Sequence, residues 1–303
     1  MSSPSPTPDP TPDHERVWSP PLPAAPGFEH LVVETPGLKT HLAVIGEGEP
    51  VVLLHGFPQH WWQWRQVAPV LAAAGYRVYC PDLRGAGWTE AADPVLDRES
   101  RLRDVLALLD ALGIAKTHLV SHDMGVITAI QLTYAHPERF RSAVQLAVWP
   151  AFFQFSPKLA PAFTHLQSFI LHRPGASLRG VFSPRYVARP LPEETIQAHL
   201  APLSRTEVDA AVRPLTTRMV LPEAVRMLRG VYRRQRLTVP TLVVFGDRDH
   251  PTTPELMAEI CPRPERYADR FEAAYVGNAA HFITDDAPAE VAELVLDWFR
   301  RTG

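Results

Sequence analysis

The chain has 303 residues, with 30 Lys plus Arg against 33 Asp plus Glu, 46% hydrophobic residues, two cysteines and 32 prolines. Near-balanced charge argues against nucleic acid as the main partner, two cysteines cannot build a disulfide framework, and no Cys/His cluster has zinc spacing; no metal or cofactor is expected. A chain of this size can bury roughly three quarters of its unfolded surface, so it needs no staples and is compatible with one α/β unit or two domains.

Nine of the prolines lie between Pro4 and Pro26, among few apolar residues. Such a segment cannot offset its ordering entropy by burial, which predicts a flexible arm over 1–26 with polyproline character. Its start has neither the basic residues nor the apolar run of about 7–15 residues that a signal peptide needs. No later stretch reaches ~18 apolar residues, so a cytoplasmic protein without membrane contact is expected. Arginine outnumbers lysine 27 to 3, which points to a GC-rich bacterial source.

From about residue 28 the pattern is regular. Strand-like runs fall at 31–34, 41–45, 51–55, 77–80, 118–121, 143–148, 241–245 and 271–276. Several are continuously apolar, as for strands covered on both faces. Helical patterns lie at 61–74, 98–112, 124–136, 254–260 and 287–300. In the second, Leu102, Val105, Leu106, Leu109 and Leu112 form a core-facing stripe. This alternation predicts a doubly wound, mostly parallel α/β sheet. It stops over 150–237, a proline-broken stretch too long for a loop, which reads as an inserted helical lid on a core of 27–149 and 238–303.

The third helical pattern is preceded by Ser121-His122-Asp123-Met124-Gly125 at a strand end. Small residues flank a central side chain there, as in a nucleophile elbow that lifts that side chain above the sheet. Taken alone, the segment fits a helix N-cap aspartate equally well. Three further features sit at predicted strand ends: His55-Gly56-Phe57-Pro58, Gly246-Asp247-Arg248-Asp249, and Gly277-Asn278-Ala279-Ala280-His281-Phe282. Open α/β sheets bind ligands at that edge. The order of nucleophile, acid and histidine is that of the α/β-hydrolase fold.

On these residues the chain, from about residue 28 onward, resembles the α/β-hydrolases and within them the epoxide hydrolases. Trp61, Trp62, Trp64 and Arg65, Pro81-Asp82-Leu83-Arg84-Gly85, and Arg229-Gly230-Val231-Tyr232-Arg233 add to the resemblance. It implies an aspartate nucleophile, Asp123, a base, His281, oriented by Asp249, and oxyanion donors in the backbone N–H groups of Phe57 and Met124. It also implies Tyr232 as the ring-opening acid. A second lid tyrosine is usual; His165, Gln167 and His172 stand near that place, and Tyr186 is another candidate. Trp62, Trp149 and Phe282 complete the expected pocket, while His55 and His122 are expected to be structural.

The chemistry agrees with the resemblance. A carboxylate with pKa near ~4 is ionised at neutral pH and needs no base to act as nucleophile. Attack on an ester carbonyl would give an anhydride, whereas attack on an sp3 carbon gives an ordinary ester that water can cleave. This disfavours esterase, lipase and protease activity and leaves an epoxide or a halide as the reacting group. Dehalogenases usually place halide-binding groups where Phe57 and Met124 stand, so the expected partners are a small-molecule epoxide substrate and water. A dehalogenase and a non-catalytic relative remain the alternatives, and a homodimer is left open.

Overall fold

The computed structural model describes residues 17–93, 96–164, 166–249 and 251–303. Strands β1 (Glu29–Thr35), β2 (Leu38–Ile45) and β3 (Glu49–Leu54) come first. Then follow α1 (Ala68–Ala73), β4 (Tyr76–Pro81), β5 (Glu90–Ala91), α2 (Ser100–Ala111), β6 (Thr117–His122), α3 (Met124–Ala135) and β7 (Phe140–Leu146). Helices α4 (Leu166–Ile170), α5 (Glu193–Leu200), α6 (Thr206–Pro214) and α7 (Leu221–Leu228) occupy the insertion. The chain closes with β8 (Thr241–Gly246), α8 (Pro254–Ile260), β9 (Phe271–Val276), α9 (Ile283–Asp286) and α10 (Pro288–Thr302).

The strands form one sheet in the order β1-β2-β4-β3-β6-β7-β8-β9, with β5 attached to β2. β2 pairs antiparallel with β1, β4 and β5, and every pairing from β4 to β9 is parallel. Alternate residues of β3 serve opposite cores. Val52 and Leu54 pack with the stripe of α2 and with α3, while Val51 and Leu53 pack with α1 and α10. Burial on both faces explains the continuously apolar runs. From β3 the chain steps to β4 on one side and later returns to β6 on the other. The crevice at the carboxyl ends of β3 and β6 is therefore the switch point at which such sheets take ligands.

Three expectations need correction. The helix expected over 61–74 is a short 3-10 turn, Trp61–Trp64, followed by α1. Pro69 cannot donate to the carbonyl four residues back, so it sits in the first turn of α1 and not inside a longer helix. In the insertion, prolines do not separate all the helices: α6, a π-helical turn Leu215–Val220 and α7 run on without a break. Pro214 stands in the last turn of α6 and Pro222 in the first turn of α7, on either side of the π-helical turn.

The third correction concerns the arm. Residues 1–16 lie outside the described part, but 17–26 pack on the core. The Trp62 and Trp88 indole N–H groups donate to the Ala24 and Pro20 carbonyls at 2.9 and 2.6 Å, and Trp18 sets its ring edge against His41. Indole donors near a core need acceptors, and here the proline-rich segment's bare carbonyls supply them. Among the described residues no helix is long and apolar enough to cross a membrane.

Candidate active site

Asp123 joins β6 to α3 with φ 46° and ψ −120°, a conformation that a non-glycine residue holds only when its surroundings impose it. The surroundings are visible. A Cβ on Gly125 would lie 2.5 Å from the Leu54 carbonyl oxygen, and one on Gly56 would lie 2.8 Å from the Asp123 Cβ. Both glycines are thus required by the close approach of the turn after β3 to the elbow. Ser121, at the elbow's other small position, is buried and donates to the Val144 carbonyl at 3.3 Å.

The two carboxylate oxygens of Asp123 have different environments. Oδ2 accepts the Phe57 backbone N–H at 3.0 Å. Oδ1 lies 3.6 Å from His281 Nε2, and His281 Nδ1 lies 3.4 Å from Asp249 Oδ2. Asp249 follows β8 and His281 follows β9, so β3, β6, β8 and β9 deliver the four groups from their carboxyl ends. The Met124 amide opens α3, where backbone N–H groups have no intrahelical acceptor.

Charge follows from this geometry. Burial works to lower the His281 pKa, but the Asp249 charge and the hydrogen-bonding contributions of Asp123 and Asp249 outweigh it and raise the value to about 10. For Asp123 burial works upward and is outweighed by His281, which holds the carboxyl well below its usual range. His281 thus lies between two acidic side chains, an arrangement that favours a proton on its ring.

The two neighbouring histidines are structural, as expected. His55 donates from Nδ1 to the Gly56 carbonyl at 2.6 Å and accepts the Leu83 N–H on Nε2 at 2.9 Å. His122 donates from Nε2 to the His281 carbonyl at 2.8 Å and so fixes the loop that carries the base. Burial foremost lowers both to about 4, which keeps them neutral. Asp82, from the Pro81–Gly85 motif, is also structural: it accepts the Trp61 and Trp88 N–H groups and bonds His41, all in the core.

Above Asp123 lies a cavity of about 140 Å³. Its floor is Asp123, Met124, Phe57, Asp249 and His281; its walls include Trp149, Phe153, Phe169, Tyr186 and Phe282. Of the residues expected in the pocket, Trp149, Tyr186 and Phe282 line it. Trp62 does not, because its indole is turned to the Ala24 carbonyl. Gln167 is exposed, and His172 is buried against Asp209 at 2.7 Å. His165 lies outside the described residues.

Tyr232 is the largest departure from expectation. It does not line the cavity; its hydroxyl donates to Glu223 Oε1 at 2.5 Å. Glu223 is fully buried on α7 and also accepts Arg98 at 2.7 Å and Gln131 at 2.6 Å, both from the core. Burial first, and then the bond to Glu223, push the Tyr232 phenol up, so it holds its proton more tightly than an ordinary tyrosine.

Tyr186 is placed differently. Its ring centre is 6.3 Å from that of His281, and its carbonyl accepts the Phe282 N–H at 3.1 Å. Asp286 accepts both the Ala188 N–H and the Ala280 N–H at 2.9 Å. The insertion's 186–188 segment is thus stitched to the loop that carries the base. Sequence reasoning missed one cavity wall: Val220 at the end of the π-helical turn and Ala224, Met227 and Leu228 on α7, spaced i, i+4, i+7 and i+8. That helical period was the available signal.

Comparison with known proteins identifies the fold family. Residues 49–283 match the model of the α/β-hydrolase fold family. An epoxide hydrolase of Siraitia grosvenorii is 40% identical over 144 residues, 47% of this chain and 44% of that one. A soluble epoxide hydrolase of a Corynebacterium strain is 25% identical across 87% of this chain and 94% of its own. The chain's match spans less than half the length of each of three Siraitia relatives. Among solved structures, an epoxide hydrolase of Vigna radiata superposes with a TM-score of 0.72 at 26% identity, over 91% of this chain and 99% of that one.

Proposed function

The chain belongs to the α/β-hydrolase fold family, and within it we propose an epoxide hydrolase that opens an epoxide to a vicinal diol through an ester on Asp123. One observation carries this reading. The elbow holds a carboxylate with one oxygen on the Phe57 N–H and the other facing the His281–Asp249 pair. The names of the relatives support the same substrate class.

In the first step Asp123 Oδ1 attacks an epoxide carbon, the C–O bond breaks, and the new alkoxide takes the proton of a lid hydroxyl. Tyr186 is the tyrosine that borders the cavity, so it takes the role the sequence suggested for Tyr232. Esterification removes the Asp123 charge, one of the groups that hold the proton on His281. The imidazolium therefore becomes a stronger acid and returns a proton to the Tyr186 phenolate, leaving His281 neutral.

In the second step neutral His281 takes a proton from water, and the hydroxide attacks the Asp123 carbonyl carbon. The oxyanion forms on Oδ2, where the Phe57 N–H already points, with the Met124 amide as second donor. Each such donor is worth about 3 kcal/mol in comparable sites. Collapse expels the diol alkoxide, which takes the proton of the new carboxyl group and restores Asp123 beside an imidazolium. Metal plays no part in this scheme.

Product analysis with a panel of aromatic and aliphatic epoxides, run beside haloalkanes, tests the reading. Diol formation without halide release is expected. Halide release without diol formation would assign the site to a dehalogenase, and no turnover of either kind would remove the enzymatic reading.

A further inference from the structure

Arg101, on α2, is only 1% exposed and does not line the cavity. Its Nε and Nη2 groups both donate to the Arg84 carbonyl, at 3.0 and 2.8 Å. Its Nη1 group is buried without an acceptor, and no carboxylate among the described residues pairs with it. Asp104, one turn further along α2, is already held by the Arg84 side chain through two bonds of 2.7 Å. Burial foremost pushes the Arg101 pKa down, and the charges of Asp104 and then Asp123 oppose that. A buried cation without a paired carboxylate costs a fold stability, because its lost hydration is only partly replaced. Departures of this kind are expected at functional sites.

A short series of hydrogen bonds leads from Arg101 to the nucleophile. The carbonyl it holds belongs to Arg84, next to Leu83, whose N–H donates to His55 Nε2 at 2.9 Å. His55 donates in turn to the Gly56 carbonyl at 2.6 Å, and the next N–H, that of Phe57, donates to Asp123 Oδ2 at 3.0 Å. We infer that Arg101 is a positioning residue for this oxyanion turn, and that its buried charge favours hydrolysis of the Asp123 ester over its formation. The effect on the ester rests on the epoxide-hydrolase reading.

The two half-reactions move charge in opposite directions. When the ester forms, negative charge leaves Asp123 for the epoxide oxygen. When the ester is hydrolysed, negative charge returns to Asp123 as the oxyanion on Oδ2. A cation in the low-dielectric core on the far side of the nucleophile resists the first movement and assists the second. Loss of packing alone would slow both steps alike or neither.

Rapid-quench mass spectrometry, with an epoxide that the wild-type protein turns over, measures ester formation and ester decay separately. In Arg101→Met the ester should form as fast as in wild type, or up to about twofold faster, and decay roughly three- to tenfold more slowly. Arg101→Gln, which keeps a donor for the Arg84 carbonyl, should show the same asymmetry and serves if the Met variant does not fold. Arg101→Lys keeps the charge and should bring the decay rate back toward wild type. A second measurement needs no turnover: the Phe57 amide proton, followed by NMR in the free protein, should shift upfield in the uncharged variants as its bond to Asp123 weakens. Equal slowing of both steps, wild-type decay in the uncharged variants, or a Lys variant no better than they are would overturn the charge effect. An unmoved Phe57 amide would overturn the positioning role. If no ester forms on Asp123 with any epoxide, the epoxide reading fails, and the Phe57 amide still judges Arg101.

Discussion

The floor and the roof of the cavity are held by different means. On the floor, Asp123, Phe57, Asp249 and His281 are delivered by turns at strand ends, where backbone geometry and two obligatory glycines leave one arrangement. In the roof, α7 is held by a buried polar cluster: Glu223 receives Tyr232 from its own segment and Arg98 and Gln131 from the core. The floor depends on local chain direction, and the roof depends on partners 92 and 125 residues away. A motif can therefore name a floor residue's role, whereas a roof residue's role waits on which long-range partner captures it.

The largest effects should come from the floor. Asp123→Ala should lower epoxide turnover by about 10³-fold or more while leaving the fold intact by circular dichroism. Residual turnover near wild type would break the assignment of the nucleophile. Asp249→Asn should cost on the order of 10²–10⁴-fold, and should also move the His281 titration. The wild-type imidazole, followed by NMR, should titrate near the raised value of about 10 and come down toward the ordinary 6.5 in Asp249→Asn.

The same shift has a consequence for stability. A histidine whose folded pKa is raised stabilises the fold fully below its unfolded pKa and loses that contribution as pH rises through the folded value. Between about pH 7 and 10 the thermal midpoint of the wild-type protein should therefore fall more steeply than that of Asp249→Asn. Equal slopes would mean that His281 carries no extra proton in the resting site.

The roof predictions separate chemistry from packing. Tyr186→Phe should slow ring opening by about 10²-fold, the usual size of a general-acid contribution. Tyr232→Phe should act on stability instead, by about 1 kcal/mol for a lost hydrogen bond. Glu223→Ala should cost more, about 2–3 kcal/mol, because Tyr232, Arg98 and Gln131 all lose it as an acceptor. Urea denaturation beside single-turnover kinetics would show this division. A Tyr232→Phe variant that folds as well as wild type but opens epoxides slowly would reverse the roles of the two tyrosines. Removal of 17–26 should leave turnover unchanged and lower Tm by a few degrees, by exposing the indole donors of Trp62 and Trp88.

These differences mark what could be read from the sequence. The parallel sheet was legible because runs such as 51–54 and 242–245 are wholly apolar, and Asp123, Asp249 and His281 stood out because each follows a strand-like run. The role of Gly125 was legible from the spacing around the elbow. Tyr232 was misplaced because nothing near it in the sequence announces Glu223 as a buried acceptor. The 17–26 arm was read as flexible because composition counts apolar side chains and overlooks backbone carbonyls that cap tryptophans elsewhere.

The whole proposed reaction turns on attack by Asp123 at carbon. His281→Gln protein mixed with an epoxide and examined by intact-mass spectrometry tests it most directly. The expected result is a gain equal to the mass of the epoxide, mapped to the peptide that contains Asp123 and absent when Asp123 is also replaced by alanine. Diol formation by the wild-type enzyme with no adduct on Asp123 in the His281→Gln protein, or an adduct that survives the Asp123 replacement, would contradict it.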